Sequence, residues 1–148
     1  MTKELISKIL LIVAPVVIGL LPGSAAQAQQ NRVDAKIPFN FQVGDKSYPA
    51  GDYSIRSEQE QVSKGILRIV QTRESHATFV FSNACTSVRR ADKTKLVFHR
   101  IGSTYFLYQI WIQGKDTGSE FPASKTEIEI ASNQPKPDLV MVDAKLIH

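Results

Sequence analysis

Lys95 to Ile112 reads KLVFHRIGSTYFLYQIWI, the densest aromatic and apolar stretch downstream of an N-terminal leader-like run. Gly102-Ser103 stands between two β-rich arms, and this spacing predicts a two-residue hairpin with Ile101 opposite Thr104. Counting outward pairs Arg100 with Tyr105, His99 with Phe106, Phe98 with Leu107, Val97 with Tyr108 and Leu96 with Gln109. One face then carries Leu96, Phe98, Tyr105, Leu107 and Trp111. The other carries Val97, Ile101, Phe106, Tyr108, Ile110 and Ile112. Neither face is polar, so the pair is predicted to be central and covered on both sides over much of its length. Burial of each large side chain here contributes roughly 1.5–3 kcal/mol, enough to make the hairpin a main source of folding energy.

The flanking sequence breaks into similar short runs. Val33, Ala35, Ile37, Phe39, Phe41 and Val43 alternate with polar residues at the period of a half-buried strand, and Pro38 places part of that strand at an edge or bulge. Gly44-Asp45-Lys46 and Pro49-Ala50-Gly51-Asp52 are turn signals, and Tyr53 and Ile55 read as a short strand. Ser57 to Lys64 is a polar connection. Ile66 to Gln71 and His76 to Cys85 are strands joined by the turn Thr72 to Ser75, and Thr86 to Thr94 is a loop. Beyond the hairpin, Gln113 to Gly118 reads as a loop ended by Phe121-Pro122, and Thr126, Ile128 and Ile130 favour a short strand over a turn of helix. Ser132 to Asp138 is an extended linker. Leu139 to Ile147 is too apolar for a free tail; it is expected to complete the sheet of its own molecule, with addition to a neighbour's sheet as the alternative. Seven or eight strands with turn signals at roughly ten-residue spacing predict an all-β fold, a single antiparallel sandwich or small barrel.

Lys3 and Lys8, the apolar run Ile9 to Leu21 and the small-residue site Ala26-Gln27-Ala28 have the order of a secretory signal peptide, with cleavage expected after Ala28. The apolar run is shorter than the ~20 residues of a membrane span, so no transmembrane anchor is expected in the mature chain. The expected organisation is 1–28 signal peptide, 29–131 β-domain and 132–148 linker and strand-like tail, in a periplasmic or secreted protein. The 120 residues after Ala28 carry 16 basic and 13 acidic side chains, a net charge of +3. Arg89, Arg90, Lys93 and Lys95 form one basic cluster, interrupted by Asp92. That is not the concentrated stripe of a nucleic-acid binder, and nucleic acid is not the expected partner. The single cysteine, Cys85, reads as a structural thiol in a β-run.

Four motifs taken together, IPFNFQVG at Ile37 to Gly44, PAGDY at Pro49 to Tyr53, KLVFHR at Lys95 to Arg100 and YFLYQIW at Tyr105 to Trp111, resemble a group of small exported proteins of acidobacterial type. The resemblance runs to about Ile128 and leaves out the tail. It implies an exported, single-domain, mostly β protein, and it brings no activity, ligand or catalytic residue with it.

No catalytic signature stands out. His76, His99 and His148 are far apart, so no metal centre is expected, and neither is a cofactor. G-x-S-x-G, H-E-x-x-H and phosphate-cradling glycine loops do not occur. Glu127 with Glu129, and Asp116 with Glu120, read as solvated carboxylates rather than an acid–base pair. The rings of Phe39, Phe41, Tyr53, Phe98, Tyr105, Tyr108 and Trp111 read first as core, with a sugar or lipid pocket as the alternative. The candidate binding residues are His99, Arg100, Tyr105, Tyr108 and Trp111. The expected function is noncatalytic binding, or a structural role in the envelope, with a protein, a polymer or an apolar small molecule as partner. The alternatives are a small apolar-ligand carrier and an envelope-directed hydrolase built on His99, Arg100 and a carboxylate such as Asp116.

Overall fold

A computed structural model describes residues 31–58, 64–74, 76–134 and 136–148; the leader and most of the connection after Ser57 lie outside them. Among the described residues the elements are β1 (Arg32–Ile37), β2 (Phe41–Val43), β3 (Lys46–Tyr48), β4 (Gly51–Ser57), β5 (Lys64–Gln71), β6 (Ala77–Thr86), β7 (Lys95–Ile101), β8 (Thr104–Trp111), β9 (Thr117–Glu120), α1 (Lys125–Ser132) and β10 (Asp138–Ile147). Eight of the strands close into an antiparallel barrel in the order β8, β7, β10, β1, β4, β5, β6, β9, with β9 pairing back onto β8. Closure settles the choice between sandwich and barrel in favour of the barrel.

The Gly102-Ser103 hairpin forms as expected, with Gly102 at φ +62° in the left-handed region that only glycine enters at no steric cost. Its register holds from Ile101↔Thr104 to Phe98↔Leu107, then shifts, so that Val97 faces Gln109 and Leu96 faces Ile110. Tyr108 is the extra residue of a β-bulge, and beyond a bulge every side chain changes face. Ile110 therefore joins Leu96, Phe98 and Leu107 in the core, with Ile112 packed against them, while Trp111 does not. The predicted faces are corrected at that point. Val97, Ile101 and Phe106 are also buried, as a group apart from the main core. Helix α1 packs along β7 on this side, so both faces of the hairpin are covered.

Residues 126–130, read as a strand, belong to that helix. Ser124 caps it, its hydroxyl accepting from the Glu127 backbone N–H at 3.1 Å. The Ser-x-x-Glu spacing that marks such a cap was present in the sequence, and a local cap outweighs a three-residue alternation. Thr117–Glu120, read as part of a loop, is β9. Its sequence, TGSE, offers no apolar alternation, and Gly118 lies against the hairpin: a Cβ there would sit 2.8 Å from the Ile110 carbonyl oxygen and 2.9 Å from Trp111 Cε3. The long alternating strand at residues 33–43 is two strands. Pro38 cannot donate to a ladder, and the chain leaves the barrel there, β2 then lying parallel to β8 at Gln42↔Phe106. The C-terminal segment completes the sheet of its own molecule, β10 lying between β7 and β1.

Candidate functional site

The strand directions give the barrel two distinct ends. At the end that holds the Gly102 turn, the excursion from β1 to β4 brings in a packed set of rings. Phe41 lies 5.1 Å from Tyr53 and 5.5 Å from Phe98, both near edge-on, and Phe39 stacks on Tyr105 at 3.8 Å. Tyr53 and Phe98 are essentially without solvent exposure. The Tyr53 hydroxyl donates to the Pro49 carbonyl at 2.6 Å, and burial followed by the nearby Glu74 and Tyr48 pushes its pKa up to about 12. The Tyr48 hydroxyl, also raised by burial, faces Thr78 without a well-formed hydrogen bond. This end is filled.

The other end is open. A cavity of about 270 Å³ is walled by Val33 of β1, Ile55 of β4, Leu67 of β5, Ile110 of β8 and Ile112 just beyond it. Its remaining lining is small: Gly65, Ser82, Ala84, Gly118 and Ser119, with Asn31, Ser57, Lys115 and Thr117 toward solvent. Gly65 pairs with Ser82 across β5 and β6, and a Cβ on Gly65 would lie 3.2 Å from the Ser82 hydroxyl. Ser82 is only 3% exposed. Apolar walls, a few convergent polar groups and one open end are the usual make-up of a small-molecule site, and eight strands enclose an interior wide enough for one small ligand.

None of the five residues singled out from the sequence lines this cavity. His99 lies on the outer wall, its Nδ1 2.7 Å from Glu127 Oε1 and its ring stacked 3.9 Å from Tyr108. The pair ties helix α1 to the barrel. Arg100 is exposed at the turn, its Nε donating to the Gly102 carbonyl at 3.2 Å with the guanidinium 6.0 Å from the centre of the Tyr105 ring. Trp111 donates to Gln109 Oε1 at 3.0 Å, and Gln109 in turn donates to Glu120 Oε2 at 2.7 Å. Burial and the adjacent Glu120 raise the pKa of both the Tyr108 hydroxyl and the Cys85 thiol, which keeps that thiol protonated and poorly nucleophilic.

The five therefore belong to three places: the turn end, the seam under α1, and the polar chain around Glu120. Asp116 is remote from His99, in the mouth loop, where its carbonyl accepts from the Ser87 N–H at 2.8 Å. Among the described residues no three His, Cys, Asp or Glu side chains gather as a metal site, and no helix is long and apolar enough to cross a membrane. The residues that build the cavity were missed because glycine, alanine and serine carry no positive signal. The pairing of Gly65 with Ser82 would have been the clue, had the register of β5 on β6 been known. Comparison with protein-family models, with curated proteins and with solved structures found no match.

Proposed function

We propose that the protein is a noncatalytic binding protein of the cell envelope or exterior, whose barrel takes one small, mostly apolar molecule through the mouth beside Ser57, Gly65 and Thr117. The observation that carries this is the cavity, where large side chains give way to small ones in an otherwise filled barrel. Burying apolar ligand surface against Val33, Ile55, Leu67 and Ile110 supplies roughly 25 cal/mol per Å² before the entropic cost of binding. Ser82, Thr117 and Ser119 provide hydroxyls that orient the ligand. Export follows from the leader read in the sequence and places the site where extracellular or envelope molecules reach it.

Native mass spectrometry of the protein recovered from its own periplasm or medium tests the reading. A retained small-molecule mass that disappears when Ser82→Leu fills the cavity supports it. Protein that arrives empty and does not bind the apolar fluorophore 1-aminoanthracene in solution refutes it.

A further inference from the structure

The mouth of the barrel has a chemistry of its own. Among the described residues Lys115 is the one charged residue lining the cavity, and it also lines an open groove beside the mouth, together with Lys93, Lys145 and His148. No carboxylate side chain among the described residues lines either one. The nearby acids are otherwise engaged or face elsewhere: Asp34, opposite Lys145 across β1 and β10, takes Arg32 at 2.9 Å, Asp143 takes Lys93 at 2.6 Å, Asp92 takes Lys95 at 3.5 Å, and Asp116 lines neither space. Lys115 and Lys145 are left without an acidic partner among the described residues. Lys115 is also held in place. Its carbonyl accepts from the Ala91 N–H at 2.9 Å and its N–H donates to the Ile112 carbonyl at 3.1 Å, beside Gly114 at φ +78°.

An apolar chamber under a cationic rim fits a molecule with an apolar body and a negative head. We infer that the ligand is a medium-chain amphiphile with an anionic head, its tail in the barrel and its head on Lys115 and Lys145. This deepens the binding function proposed above and rests on it. The size of the chamber limits the tail. At 270 Å³ it falls just below the ~300–1,000 Å³ of ordinary ligand pockets and holds the volume of about nine water molecules, so a chain of about ten non-hydrogen atoms fills it. Burying an unneutralised anion inside the barrel costs far more than leaving it at the wet rim, which fixes the orientation as tail first.

Isothermal titration of the purified, delipidated protein with octanoate, octyl phosphate, 1-octanol and octylamine tests this. The anions are expected to bind about fivefold tighter than octanol, with the margin shrinking in high salt. Octylamine is expected to bind weakest. Lys115→Gln combined with Lys145→Gln should remove the margin, and Lys36→Gln, on the exposed face of β1, should keep it. Whichever of octanoate and octyl phosphate binds tighter names the head group. Equal binding of octanol and both anions, or a margin indifferent to both lysines, overturns the anionic head and leaves the barrel site standing. Failure of all four to bind overturns the two readings together.

Discussion

At the turn end of the barrel Phe41, Tyr53 and Phe98 meet ring against ring, whereas at the mouth the strands present Gly65, Ser82, Ala84 and Gly118 to one another. Both ends belong to one closed sheet. What differs is side-chain volume. The turn end spends large rings on filling the interior, which stabilises the fold; the mouth withholds volume, leaving space that a ligand can use. A barrel of this size can do both because each strand has two ends, and residues six apart on one strand can serve opposite purposes.

The largest effect expected on this contrast is at the filled end. Phe98→Ala removes a ring with no solvent exposure and should cost about 3–5 kcal/mol, read as a fall in the denaturation midpoint. A loss below about 1 kcal/mol would mean that the ring cluster is not the structural anchor. Next comes alkali. Tyr53 has a folded pKa near 12 against an unfolded value near 10. Its neutral form is therefore the one the fold favours, and that stabilisation, complete below pH 10, is lost as pH rises toward 12. Urea melts across this window should show the decline, and Tyr53→Phe should flatten it in part, since Tyr48 and Tyr108 are raised as well.

At the mouth the sign reverses. Ser82→Leu fills empty space with apolar volume, so it should stabilise by about 1 kcal/mol while abolishing binding of the fluorophore. Stability lost alongside binding would show that the space is needed by the fold rather than by a ligand. The smallest change is at the rim: Lys115→Gln should leave stability within about 0.5 kcal/mol, because an exposed lysine with no partner has little to lose. A larger drop would mark Lys115 as structural.

Most of the architecture could be read along the chain. The two-residue turn at Gly102, the alternation of β1, β5 and β6, and the apolar tail that became β10 are local signals, and each survives in the fold. The candidate site was not legible in the same way. His99, Arg100, Tyr105, Tyr108 and Trp111 drew attention because aromatic and ionisable side chains are conspicuous, yet the structure distributes them among packing, a helix clasp and a hydrogen-bonded chain. The one-residue bulge at Tyr108 left no mark in the alternation, and it moved Trp111 out of the core and Ile110 into it.

Periodicity and turn chemistry are properties of neighbours in the chain, so the residue order by itself determined that these strands form and where most of them begin and end. Closure of the sheet through β9, the seating of α1 on β7 and the empty mouth depend on which residues meet across β5 and β6, β8 and β9, far apart in sequence. A cavity is an absence shared by many small side chains. No single residue encodes it, and only the packing of the whole barrel decides whether that space is filled.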